Sequence, residues 1–427
     1  MKGTIMTELD WHAERADLND LALLDRSPRD EGIDLVAVRG YRLNRVRAQM
    51  RDLDVDAVIL SDPVNIRYAT GARNMQVFSM RNAPSRYLLL TQNDAILYEF
   101  TGCLHLPDGL ETITEVRQAR TASFVAAGPH IEAFERSWAQ DMATEITRLV
   151  GDRPTVGLER LNAGAAIELN AAGIRVVDAQ YAVEMARAVK SAEELKCVNA
   201  SLRATEVGVA ALRAAIKPGL TEAQLWSVLH QSIIAQNGDY VETRLLNAGQ
   251  RTNPWFQETS ENVIGPNELI ALDTDVVGCH GYYSDFSRTF HAGPEKPTEA
   301  QKTLYKVAHE QLHHNMSILR PHMSFRDYAR EAWDIPDKYY ANRYYLSAHG
   351  CGMTGEYPYL YHEGDFPAAG YDGEILPGMT ICVESYIGLD GEGEGVKLEQ
   401  QILITDTGTE LLSRFPFEED LLLNPSA

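Results

Sequence analysis

From Tyr41 the apolar positions fall into a helical rhythm. In YRLNRVRAQMRDL, Leu43, Val46, Met50 and Leu53 recur at three- and four-residue steps, the spacing of one helix face. The run Asp56–Leu60 that follows is apolar after its first residue, as a strand buried on both faces would be. RYLLLTQNDAILYEF then predicts strand, turn and strand, and TVGLERLNAGAAIELNAAGIRVVDA predicts strand, helix and strand. Residues 36–185 therefore read as an α/β domain. AVEMARAVKSAEELKCVNASLRATEVGVAALRAAI changes to a helical period, with SAEE at 191–194 resembling a capping box. A helix at LTEAQLWSVLHQSIIAQ, strands within 240–292, a helix over 298–319 and strands after 340 give residues 186–427 an α+β character. Residues 1–35 are polar with few apolar repeats and read as an arm.

Length agrees with two domains, since 427 residues exceed what one core usually holds. Lys and Arg number 39 against 61 Asp and Glu, a formal charge of −22 that repels a phosphate backbone and excludes nucleic acid as a partner. Five widely spaced cysteines without a CxxC predict reduced, mostly buried thiols rather than a disulfide framework or thiolate zinc site. The start has no apolar signal region, and no stretch reaches the roughly 18 apolar residues of a membrane span. A cytoplasmic protein without a membrane partner is expected.

The candidate chemistry lies where acids interrupt apolar strands. Leu269–Val277 reads as one strand carrying Asp273 and Asp275, which a period of two puts on one face. A solvated surface strand would explain them too, but Ile270, Leu272, Val276 and Val277 argue for burial. A turn over 278–281 would return the chain to Asp285. MTICVESYIG and GVKLEQQILIT repeat the anomaly with Glu384 and Glu399, and SAHGCG places His349 among glycines. Buried acids without counter-charge are costly. Oxygen donors with a single imidazole suit two Mn, Fe, Co or Zn ions.

The order Asp, Asp, His, Glu, Glu in these surroundings resembles the pita-bread superfamily of creatinase, prolidase and methionine aminopeptidase. The resemblance implies a creatinase-like α/β amino-terminal domain before an α+β pita-bread catalytic domain, and a homodimer. It implies that Asp275 binds one metal, that Asp285 and Glu399 bridge two, and that His349 and Glu384 complete the other, with Asp273 an addition. Two histidines that peptidases of this superfamily use are absent. Trp255, Phe256 and Gln257 stand in place of one, and Glu356 in place of the other.

DPVNIRYATGARNMQ, VETRLLNAGQRTNPWFQE, ALDTDVVG, HGCGMTGEYP, LPGMTICVE and KLEQQILIT are further similar to metal-dependent dimethylsulfoniopropionate lyases of the DddP type. That likeness implies β-elimination from a small carboxylate held by two divalent metals, iron first, then Zn, Mn or Co. A sulfonium favours aromatic faces; Trp255 and Tyr357 lie in the matching runs, and Phe78 and Tyr344 lie close to them. The lyases carry an acid six residues after the metal His, where this chain has Gly355. Tyr344, Asp273, the adjacent Glu356 and a hydroxide at the metals remain as candidate bases. A C–N hydrolase of the Xaa-Pro dipeptidase, creatinase or ectoine-hydrolase kind is the alternative, and a non-catalytic binding protein the third reading.

Three other signals weigh less. HEQLH at 309–313 matches HExxH, with Glu331 a possible third ligand, but the apolar stripe Leu304, Val307, Leu312, Met316 and Leu319 makes it a packing helix. Arg244 and Arg251 offer a bidentate carboxylate clamp, or ion pairs with Glu242 or Glu258. Cys351 and Cys382 adjoin ligands without the partners a nucleophile needs.

Overall fold

The computed structural model describes residues 32–75 and 85–423. The chain forms two compact units, one over Asp34–Arg187 and one built from Ala188 onward. Most of the expected arm, and Phe78, lie outside the described residues.

In the first unit, Leu35–Asp52 is a helix that buries Val38, Leu43, Val46 and Met50, while Leu53 falls at its end and is exposed. The strand Ala57–Leu60 is fully buried at the centre of a six-stranded sheet. It pairs antiparallel with Tyr87–Thr91 and parallel with Thr155–Leu158. Parallel pairing needs a crossover, and the helix Ile131–Val150 lies within it, presenting Trp138, Met142 and Ile146 to the core.

The second unit opens with the helix Ala192–Ala215. Ser191 accepts from the Glu194 amide while Glu194 accepts from the Ser191 amide, the reciprocal cap that SAEE implied. Glu222–Ala235 and Glu299–Ile318 start with the same device. A five-stranded antiparallel sheet runs in the order Gly355–Leu360, Ala348–Cys351, Thr380–Leu389, Glu392–Ile404 and Thr409–Leu411. Beside it, Leu269–Asp273 pairs with Leu246–Ala248 and Ser287–His291. Thr289 links the two sheets through hydrogen bonds with the backbone of Lys397.

The single strand expected over Leu269–Val277 is interrupted. It ends at Asp273, and Asp275 has φ +40°, in the left-handed region that Asp tolerates better than most residues. Pairing resumes as a hairpin, with Val276 opposite Ser284 and Val277 opposite Tyr283, and this hairpin carries the chain back to Asp285. Among the described residues, no helix is long and apolar enough to cross a membrane.

Candidate metal centre

Register decides which side chains meet. Glu384 stands directly opposite Glu399, and His349 directly opposite Cys382. Alternation then gives one sheet face Cys382, Glu384, Tyr386, Lys397, Glu399 and Gln401. On the neighbouring sheet Asp273 stands opposite Ser287. The Ser287 hydroxyl is 2.8 Å from Asp273 Oδ1 and 2.7 Å from Glu399 Oε2, fastening the two sheets at the carboxylates.

His349 Nε2 faces three acids, at 3.4 Å from Glu384, 3.7 Å from Asp285 and 3.7 Å from Glu399. Its Nδ1 is 2.9 Å from the Gly350 carbonyl, an acceptor that orients the ring and leaves Nε2 for a metal. Two donor sets emerge. Asp285, His349, Cys382 and Glu399 each offer an atom within 4.8 Å of the others, and so do Asp273, Asp275 and Asp285. Asp285 belongs to both sets, the position of a bridging ligand. Asp285 Oδ1 and Glu399 Oε1 are buried with no hydrogen-bond partner among the described residues. Such oxygens cost free energy unless a cation meets them.

The electrostatics point the same way. Burial, then the charges of Glu399, Asp275 and Asp273, push the Asp285 carboxyl well above its usual range. Burial and the Glu384 charge do the same to Glu399, with Lys397 opposing. Asp275 is pushed to about 7 by burial and the Asp273 charge, against hydrogen bonds from Thr243 and from the Tyr283 hydroxyl at 3.0 Å. Burial works against a charged His349, yet the hydrogen bond and charge of Glu384 and the charge of Glu399 lift it to about 10. Acids this close ionise together only around positive charge.

Models of two domain families match the sequence, the Creatinase/Prolidase N-terminal domain over residues 42–189 and metallopeptidase family M24 over 196–406. The chain is similar to the dimethylsulfoniopropionate lyase DddP of Roseovarius nubinhibens, 30% identical over 394 residues covering 91% of this chain and 88% of that protein. The chain belongs to the M24 family. DddP of Roseobacter denitrificans is 31% identical, with 97% and 90% covered. The fold is similar to that of an Xaa-Pro dipeptidase from Bacillus anthracis, with TM-score 0.71 and 20% identity over 88% of this chain and 98% of the other. M24 chemistry depends on two metal ions, and the orphaned oxygens fit that requirement.

Against the M24 pattern, Lys397 is the residue that sequence reading passed over. Its ammonium is fully buried, 2.6 Å from Glu384 Oε2, 3.1 Å from Glu399 Oε2, 3.2 Å from Asp273 Oδ2 and 2.7 Å from Ser287 Oγ. Burial opposes its charge, but Asp273, Glu384 and Glu399 outweigh burial and push its pKa well above the usual value. Burial would raise Asp273, and the Lys397 charge with the Ser287 hydroxyl more than offsets it, so Asp273 stays ionised. A cation in GVKLEQQ, one alternation from Glu399 in an apolar strand, was the available signal.

The other sequence-proposed residues divide sharply. Tyr344 lies at the centre, its ring centroid 4.7 Å from Lys397 Nζ. Burial, then Glu384, Asp273 and Glu399, drive its hydroxyl well above the usual range, the opposite of what a base requires. Glu356 stands opposite Gly350 rather than His349, and its carboxylate is bound by buried Lys190. That ion pair engages the Glu356 carboxylate away from the His349 strand position. A Cβ at Gly355, in contrast, would come 4.0 Å from the His349 ring.

Trp255 is buried 5.9 Å from Lys397 Nζ and packs with Tyr386, while Phe256 lies 5.2 Å from Tyr344. Tyr345 and Tyr359, which no motif singled out, extend the aromatic wall towards His349. Tyr357 instead stacks on Tyr371 and packs with Phe325. Arg244 pairs with the exposed Glu258 at 3.0 Å and lies over Trp226, and Arg251 pairs with the buried Glu222. In HEQLH the His309 and His313 rings lie 4.0 Å apart beside Phe417, and Glu331 is bound by Arg320. Burial holds His313 down to about 2. All five cysteines are buried thiols outside any disulfide among the described residues, and Cys382 joins a donor set.

Proposed function

We propose that this chain is a dinuclear metal-dependent C–S lyase that cleaves dimethylsulfoniopropionate, or a closely related small carboxylate, to dimethyl sulfide and acrylate. We also propose iron as its metal, and a cytoplasmic homodimer. The observation that carries the reading is the aromatic wall of Trp255, Phe256, Tyr344 and Tyr345 beside buried carboxylates, in a chain similar to DddP lyases along nine-tenths of its length. Aromatic faces favour a sulfonium, and a metal centre favours the carboxylate at its other end.

Asp275, Asp285, His349, Glu384 and Glu399 would hold the metals, which when bound would supply positive charge to the substrate carboxylate and to negative charge developing on it. Elimination moves the proton from the carbon next to the carboxylate to a base. The C–S bonding pair leaves with sulfur as neutral dimethyl sulfide. Of the three side chains offered as base, Asp273 is the one whose surroundings keep it ionised at the centre, with Lys397 and Ser287 setting its charge and position. Tyr344, driven well above its usual range by burial and the neighbouring acids, stays protonated.

Headspace analysis of metal-loaded protein incubated with dimethylsulfoniopropionate tests this directly, and release of dimethyl sulfide is expected. Ammonia, urea or free amine released from an amide and guanidine panel, with no sulfide, would move the assignment to an M24 C–N hydrolase. Bound metal without turnover of either panel would leave a binding protein.

A further inference from the structure

Two polar side chains beside the centre are buried and unused by the metal scheme. Asn247 has no exposed surface, and neither its Oδ1 nor its Nδ2 has a hydrogen-bond partner among the described residues. Trp255 Nε1 is likewise buried without a partner. Asn247 stands directly opposite Ala271, and the amide of Asp273 bonds the carbonyl of Leu245, so Leu245, Asn247, Ala271 and Asp273 share one sheet face. Ala271 packs against Trp255 and Tyr386, with Tyr344 and Leu245 at the edge of the same cluster. Asn247 therefore lies one alternation along the strands from Asp273, on the face that carries the Lys397 network.

A fully buried amide with both ends unsatisfied is costly relative to an apolar residue of similar shape. Leucine would fill the position without that cost, so the amide is matched by something absent from the chain itself. Its N–H and the indole N–H are two neutral donors next to a site that gathers anionic oxygen.

We infer that Asn247 and Trp255 form an oxyanion subsite, donating hydrogen bonds to the substrate carboxylate oxygen turned away from the metals. This rests on the reading of the centre as one for small carboxylates. Removing a proton next to the carboxylate drives negative charge onto both carboxylate oxygens, and the two donors meet the oxygen beyond the metals.

The test uses metal-loaded full chain and three probes, acrylate, propionate and trimethylsulfonium, with binding followed by calorimetry. In Asn247→Leu, affinity for both carboxylates falls about 10-fold or more, trimethylsulfonium binding and metal content are unchanged, and the thermal midpoint stays level or rises. Trp255→Phe, which removes the N–H and keeps an aromatic face, weakens carboxylate binding in the same direction. Carboxylate affinity unchanged in Asn247→Leu overturns the inference. So does a lowered midpoint or failure to fold, since the amide would then be serving the structure, and Trp255→Phe with wild-type carboxylate affinity refutes the indole's share independently. If wild-type protein releases no dimethyl sulfide but carboxylate binding still depends on Asn247, the lyase reading fails and the subsite stands.

Discussion

Glu384 and Glu399 face each other across neighbouring strands with less than 2% of either side chain exposed, and the Lys397 ammonium touches both. Like charges in that position repel. One lysine offsets only part of the negative charge that Asp273, Asp275 and Asp285 add, so the fold is built for further cations.

Metal-free protein is expected to lose stability as pH rises. Asp275 titrates at about 7 instead of 3.8, and Asp285 and Glu399 lie well above their usual ranges. The folded chain thus holds protons that the unfolded chain has released. Their contribution is complete below the ordinary carboxylate range and is lost as pH climbs through the raised values, for Asp275 between 3.8 and about 7. Divalent metal takes the place of those protons. Melting curves with chelator and with Mn²⁺ across this window should diverge as pH increases, and parallel curves would contradict the account.

Asp285→Ala removes the carboxylate shared by both donor sets. Elemental analysis should show loss of metal at both positions, and turnover should fall by at least about 10³-fold. Full activity in this variant would defeat both the lyase and the hydrolase readings.

Lys397→Met leaves Asp273, Glu384, Glu399 and Ser287 around an apolar side chain. Breaking a buried charge network by removing one partner costs about 3–5 kcal/mol, read as a lower denaturant midpoint. Lys397→Arg retains the charge and should recover most of the loss. Equal midpoints for wild type and Lys397→Met would mean that the ammonium does not hold the acids.

Glu356→Gln separates a structural acid from a catalytic one. The Lys190–Glu356 pair is almost wholly buried, so stability should fall by about 3 kcal/mol, while kcat of the folded fraction remains within about twofold. A collapse of kcat at unchanged stability would return Glu356 to the reaction.

Gly355→Asp restores an acid where the lyases carry one. A Cβ there meets nothing nearer than the His349 ring at 4.0 Å, so the branch point is sterically open. General-base catalysis contributes about 10²–10⁴-fold, and even a tenth of that would show as faster dimethyl sulfide release. A slower variant with intact metal content would mean that proton removal already has its base elsewhere.

Linear reading reached whatever depends on near neighbours along the chain. Acids within apolar strands singled out Asp273, Asp275, Glu384 and Glu399, because burying charge is costly wherever the strand lies, and the turn over 278–281 singled out Asp285. Ser191 with Glu194 disclosed a helix start for the same local reason. Tertiary structure alone decided the pairings. Lys190 neutralises a glutamate 166 positions away, Asp275 leaves its strand for a left-handed turn, and register sets Asn247 opposite Ala271, which packs against Trp255. The alternation of side chains is written in each segment, whereas the partner opposite each side chain is set by how strands align and sheets pack, and the chemistry of this centre lies in those partners.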